Sequence, residues 1–206
     1  MTDLTLATLL GSRICHDLIS PVSAVNNGLE ILGDETDPEM REAAMGLVRS
    51  SAASASAKLQ FMRIAFGAAG SMAEAIPLDE ARSLAEGLVK DGPVRLDWQA
   101  GAVTLDKEMV RLLLNFIFIG FECLPRGGTL AVGARREGAI SLMVSAAGPK
   151  ARFPEASARV LRDGAELRDV EPKTANVFLA HEVARQLGAS LHVRVEDERV
   201  ELAATL

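Results

Sequence analysis

Residues 14–38 read ICHDLISPVSAVNNGLEILGDETDP, and the spacing of their apolar side chains decides the fold of the N-terminal third. Ile14, Leu18, Val22, Val25, Leu29 and Leu32 recur at intervals of three and four, which lays one apolar stripe along a helix. The pattern stops at Gly33-Asp34-Glu35-Thr36-Asp37-Pro38. There Asp37 is suited to cap a new helix and Pro38 to occupy its first position. The second helix carries Met40, Ala44, Val48, Ala52, Ala55, Leu59, Met62 and Phe66 on one side. So short a connection predicts an antiparallel hairpin. Residues 50–57 are Ser and Ala throughout, and within a sustained helical period they predict a close approach of backbones. Two helices cannot enclose stripes of this width alone. The hairpin is therefore expected to pair with a second copy into a four-helix bundle, as a homodimer.

Beyond residue 78 the pattern changes. A helix is expected over 78–90, a strand over 94–99 and a long buried helix over 106–124. Strands at 129–135 and 139–146 turn about Glu137-Gly138, and a helix over 175–187 stops at Gly188. A last hairpin joins 191–195 to 199–204. Helices on one face of a mixed sheet make this half a two-layer α/β sandwich, and the whole chain α+β. The break falls near residues 67–76, dividing the chain into 1–70 and 71–206. No internal repeat is present.

Composition narrows the function. The chain of 206 residues is 49% hydrophobic and 24% charged, with net charge −6. Residues 1–70 hold 8 acidic and 5 basic side chains, and residues 71–206 hold 20 and 17. Neither half offers the clustered Lys and Arg of a nucleic-acid surface. Two cysteines and three histidines exclude a disulfide scaffold and most zinc sites. The apolar run near 112–121 is broken by Asn115 and falls short of the roughly 20 residues of a membrane span. The first basic residue, Arg13, follows the apolar stretch 4–10, the wrong order for a signal peptide. Cys15 and Cys123 read as reduced core thiols. The expectation is a cytoplasmic protein bound to neither membrane nor nucleic acid.

His16 lies roughly 160° around helix one from the apolar stripe, at 100° per residue. Ser12, Ser20, Ser23 and Asn27 share its face. A neutral imidazole is a nucleophile at neutral pH, and small neighbours leave room for a second protein's reactive group within about 3 Å. Asp17 stands beside it and is expected to orient the ring. Pro21 sits inside the helical pattern, at a cost of roughly 3 kcal/mol, and removes the hydrogen bond to the Asp17 carbonyl. It is expected to bend the helix there. The other two histidines look structural or solvated. His181-Glu182 lacks the second ligand of a zinc motif because position 185 is Arg, and His192 alternates within a short strand. Arg135-Arg136 reads as a solvated strand end.

The run His16-Asp17-Leu18-Ile19-Ser20-Pro21 resembles the phospho-acceptor box of sensor histidine kinases, and residues 71–206 resemble their ATP-binding (Bergerat-like) domain. The resemblance implies three nucleotide-binding pieces. Of the two asparagines expected four apart, Asn115 fits the first and Ile119 stands at the second. The adenine-binding Asp-x-Gly-x-Gly falls on Ala146, Gly148 and Lys150. A glycine-rich turn is replaced by Lys173-Thr174-Ala175-Asn176-Val177. The phospho-acceptor is kept and the nucleotide site is eroded, a combination similar to the dimeric bacterial histidine phosphotransferases.

That likeness implies an enzyme of a two-component phosphorelay. His16 would accept phosphoryl from the receiver aspartate of a CckA-like hybrid kinase and pass it to CtrA-like and CpdR-like response regulators. ATP would not be used, no cofactor would be bound by this chain, and magnesium would be held in the partner's receiver. Ser12, Ser20, Ser23 and Asn27 would form the docking centre. Two readings remain beside it: a non-catalytic dimeric scaffold for receivers, and an ATP-using kinase with atypical motifs.

Overall fold

The computed structural model describes residues 2–67, 75–101 and 104–206. Two long helices, α1 (Thr2–Asp34) and α2 (Pro38–Ala65), form the antiparallel hairpin. The expected cap is in place, with Asp37 Oδ1 accepting from the N–H groups of Glu39 and Met40 at 2.9 and 3.0 Å. The second half contains β1 (Ala75–Pro77), α3 (Leu78–Val89), β2 (Val94–Trp98), β3 (Thr104–Asp106), α4 (Lys107–Glu122), β4 (Gly128–Glu137) and β5 (Ala139–Ala147). It ends with α5 (Glu155–Asp163), α6 (Ala175–Leu187), β6 (Ser190–Glu196) and β7 (Arg199–Thr205). The main sheet has the order β2-β4-β5-β7-β6. The β2–β4 pair is parallel and the others antiparallel, so the sheet is mixed and the chain α+β, as its sequence implies.

The sheet's register sets its inner face. Leu130 opposes Ala146, Val132 opposes Val144, and Val144 opposes Leu202, all of them buried. Helix α4 lies on this face, with Leu112, Leu113, Leu114, Phe116 and Ile117 fully buried. It comes close at Gly120, where a Cβ would meet Leu130 Cδ1 at 2.8 Å and Val144 Cγ1 at 2.9 Å. Helix α6 ends at Gly188, whose φ of 68° is the left-handed conformation of a helix stop. The β1–β3 pair and the helix α5 are not foreseen in the sequence. The strands, of three residues each, are too short to show a period, whereas α5 buries Ala158, Val160 and Leu161 on one side, an amphipathic signal the sequence reading left out. The division at residues 70 and 71 lies outside the described residues.

Three expectations about the hairpin are sharpened or corrected. First, the Ser/Ala stretch approaches a backbone closely at α3, where Ala57 Cβ lies 3.5 Å from where a Cβ on Gly87 would sit. Much of the stretch also borders an open cleft of about 690 Å³ shared with α1 and α3. Helices α1 and α2 come close at Gly28, where a Cβ would meet Val48 Cγ2 at 2.6 Å and the Ala44 carbonyl oxygen at 3.2 Å. Second, the α1 stripe is split. Leu10, Pro21 and Gly28 are the buried apolar and small positions, Ile14, Val25 and Leu32 are half-buried, and Val22 and Leu29 stay about half exposed. The helices meet through small residues, which leaves the larger ones to the side. Third, Cys15 is exposed and is not a core thiol.

Helix α1 continues through Pro21. The Asp17 carbonyl that proline leaves without its helical donor accepts instead from Lys58 Nζ of α2, at 3.4 Å. No helix among the described residues is long and apolar enough to cross a membrane.

The two thiols differ in reactivity. Burial, with some help from the Glu122 charge, pushes Cys123 up to about 12, so it carries almost no thiolate at neutral pH. In the native protein a thiol reagent is expected to titrate Cys15 promptly and Cys123 only on unfolding. Equal native rates, read by mass spectrometry of the labelled peptides, would contradict this burial.

Candidate functional site

Helix α1 presents Ser12, His16, Ser20, Ser23 and Asn27 on one face, and all five are exposed. The His16 side chain is 84% exposed, and its Nδ1 lies 3.1 Å from Asp17 Oδ1. An ionised carboxylate only accepts, so this contact assigns the ring proton to Nδ1 and the lone pair to Nε2. Asp17 itself is 14% exposed. Its second oxygen, Oδ2, accepts from Arg13 Nε at 2.8 Å.

Arg13 is the member of this site that the sequence reading missed. It lies one turn before Asp17 and is 4% exposed. Its Nη1 donates to the backbone carbonyl of Lys173 at 2.8 Å, and its Nη2 pairs with Glu122 Oε1. The guanidinium carbon lies 5.1 Å from the Phe118 ring centre, within reach of a cation–π contact. Burial works against this charge. Glu122 and Asp17 outweigh it and hold the guanidinium above its ordinary value.

Glu122 is the last residue of α4, where the helix dipole disfavours an anion. Desolvation pushes its carboxyl above the usual range, and Arg13 offsets only part of that push. Its Oε2 accepts from Asn176 Nδ2 at 3.5 Å. The one available sequence signal was the position of Arg13, a charge on the same side of α1 as Leu10 and Pro21. Nothing local marks Glu122 or Asn176, which join from 109 and 163 residues away.

The three segments that the kinase resemblance sets against nucleotide binding carry other contacts here. Asn115 is fully buried, and its Nδ2 donates to the carbonyls of Ala65 at 2.7 Å and Arg111 at 2.8 Å. It therefore holds the C-terminus of α2 against α4. Ile119 and Ala146 belong to the core. The segment Pro172–Thr174 is a short 3₁₀ turn packed against α1. Gly148 serves a tight crossing, since a Cβ there would meet the Gly127 carbonyl oxygen at 2.4 Å.

The remaining candidates are ordinary. His181 Nδ1 lies 2.9 Å from the Leu161 carbonyl and donates to it, while Arg185 pairs with Glu182 at 2.8 Å. His192, Arg135 and Arg136 are exposed. Among the described residues, no three His, Cys, Asp or Glu side chains gather as metal ligands.

An exposed histidine beside a carboxylate thus stands on a helical hairpin joined to an α/β half. Residues 78–199 match the family described as histidine phosphotransferase C-terminal domain, and the chain belongs to that family. Protein phosphotransferase ChpT of Brucella abortus (strain 2308) is 39% identical over 202 residues, covering 96% of this chain and 94% of that protein. A bacterial phosphotransferase solved at 1.7 Å superposes with a TM-score of 0.86 at 35% identity, covering 98% and 96% of the two chains. The Acinetobacter baumannii histidine kinase AdeS matches at a TM-score of 0.47 and 11% identity, over 93% and 96% of the chains. Phosphotransfer in two-component signalling is thus the class of activity.

Glu122→Ala strips the Arg13 guanidinium of one carboxylate at a site 4% exposed. It is expected to destabilise the protein by about 1–3 kcal/mol, measured by urea unfolding. Glu122→Gln keeps an acceptor and is expected to cost less. Unchanged midpoints for both would mean that the pair adds nothing to the fold.

Proposed function

We propose that this chain is the intermediate of a phosphorelay. His16 takes a phosphoryl group from the receiver aspartate of a hybrid histidine kinase and delivers it to the receiver aspartates of response regulators, without using ATP. The observation that carries this reading is His16 itself, 84% exposed with Nδ1 facing Asp17. The Nε2 lone pair attacks phosphorus, and the bond from phosphorus to the donor's carboxylate oxygen breaks. The donor aspartate leaves as a carboxylate. The proton stays on Nδ1, where Asp17 offsets the positive charge of the phosphorylated ring. The second receiver's carboxylate then attacks the same phosphorus and the P–N bond breaks.

Small side chains beside His16 favour this approach, because the reacting groups must come nearly in line. Ser12, Ser20, Ser23 and Asn27 form the centre of the docking face. Asp17 is the carboxylate nearest His16, and it is already engaged by Arg13. The magnesium that neutralises charge in the transition state is therefore assigned to the receiver's acidic pocket. CckA-like, CtrA-like and CpdR-like partners follow from the likeness to ChpT. Independence from ATP is supported by Asn115, Ile119 and Ala146, whose side chains serve packing.

The protein acts as a homodimer, with two hairpins forming one four-helix bundle. Ile19 at 64%, Val22 at 49% and Leu29 at 52% exposure lie along one side of α1, with Leu4 at 76% further toward its start. This side borders the His16 face at Ile19 and suits a second copy of itself.

The relay is tested by mixing the protein with a phosphorylated receiver and chasing with a second receiver. Label is expected to pass through the wild type and to be lost with His16→Ala. Transfer that survives in that variant would overturn the assignment. Binding without transfer would favour the scaffold, and self-labelling from ATP and magnesium alone would favour the kinase. Sedimentation at micromolar concentration is expected to give a dimer for the wild type and a monomer for Val22→Glu/Leu29→Glu. A wild-type monomer would refute the bundle.

A further inference from the structure

We infer that Arg13 is a positioning residue for His16, and that through it the C-terminal domain holds the acceptor ring in its reactive tautomer. The inference rests on the relay reading for its functional meaning, but its structural content stands on the contacts. One guanidinium touches both halves of the protein. On the helical side, Arg13 Nε holds Asp17 Oδ2 at 2.8 Å. On the domain side, Nη1 reaches the Lys173 carbonyl at 2.8 Å and Nη2 reaches Glu122. The Phe118 ring covers its face.

The geometry of the carboxylate makes this more than a strut between domains. Asp17 divides its two oxygens, Oδ2 to Arg13 and Oδ1 to His16 Nδ1. A free aspartate on a helix surface rotates about χ1 and χ2 and offers the ring a changing partner. With Oδ2 gripped by a rigid, buried fork, the plane of the carboxylate is set, and so is the direction of Oδ1. Neutral imidazole in water exchanges freely between tautomers. An acceptor held at Nδ1 selects the form whose lone pair is on Nε2, the nitrogen facing the incoming receiver.

The chain of contact therefore runs from Asn176 and Glu122 through Arg13 and Asp17 to His16. Part of its domain end lies in one of the three segments that the kinase resemblance sets against nucleotide binding. Lys173 and Asn176 both belong to the segment that replaces the glycine-rich turn. A domain that no longer cradles phosphate thus keeps a task at the acceptor.

The test uses the full-length protein with ¹⁵N-labelled histidine, whose three rings can be assigned individually. Ring ¹⁵N shifts at a pH where the ring is neutral report the His16 tautomer. Single-turnover transfer from a phosphorylated receiver gives the rate constant and the half-saturation separately. Arg13→Gln is expected to raise the Nε2–H tautomer and to lower the saturating rate about tenfold, the scale of lost orientation, with half-saturation little changed. Arg13→Lys is not expected to rescue, because a point charge cannot serve Asp17, Glu122 and Lys173 together. Glu122→Gln, which leaves Asp17 untouched, is expected to shift the tautomer in the same direction by less.

A folded Arg13→Gln protein with the wild-type tautomer and saturating rate would overturn the inference and leave Arg13 as a strut. If Arg13→Gln does not fold, Glu122→Gln decides the matter, and an unmoved tautomer there overturns it equally. Failure of the wild type to accept phosphate at His16 would defeat the relay reading instead, while the tautomer measurement would still judge the role of Arg13.

Discussion

A guanidinium that is 4% exposed where the hairpin meets the α/β half constrains everything around it. Arg13 keeps its charge in any accessible environment, so each of its neighbours must answer that charge. Asp17 answers from the same helix, Glu122 from the end of α4, the Lys173 carbonyl from the turn before α6, and Phe118 with its ring face. Removing α1 would strand Glu122 at a helix C-terminus, where an anion is disfavoured. Removing the α/β domain would leave Arg13 with Asp17 alone. The hairpin and the α/β half thus satisfy one another at this point, and Asn115 holds α2 against α4 at a second.

The residues that the kinase resemblance sets against nucleotide binding obey the same logic, since a buried side chain is either hydrogen-bonded or apolar. The Asn115 amide nitrogen donates to the Ala65 carbonyl at the end of α2 and to the Arg111 carbonyl of α4. Ile119 and Ala146 lie in the core. The segment around Lys173 lies against α1 as a short 3₁₀ turn. Two of these places, Asn115 and the Lys173 segment, thus hold the hairpin.

Much of this was legible in the residues. The Asp37-Pro38 cap, the two helical periods, the Glu137-Gly138 turn and the stop at Gly188 are local signals, and the structure has each where the sequence places it. The His16 face was legible too, since helical geometry alone sorts Ser12, Ser20, Ser23 and Asn27 to one side. The stripe on α1 was read less well. Its large residues flank the contact with α2, because Gly28 lets the backbones close before those side chains can meet. The Ser/Ala stretch of α2 was legible as a place of close approach but not as to its neighbour, which is α3 at Ala57 and Gly87; most of its residues also border a cleft.

The sequence by itself determined the elements and their periods: a capped helical hairpin, a mixed α/β unit, and one histidine among small polar side chains. These depend on interactions within a few residues, which order along the chain already specifies. Only the tertiary structure decided which residues stand behind Asp17 and Arg13. The partners of Arg13 are 109 and 160 positions away, and no periodicity encodes a contact across that distance. It is set by how α4 and α6 seat on the sheet, and only then do Glu122 and Lys173 arrive at the one buried charge that needs them.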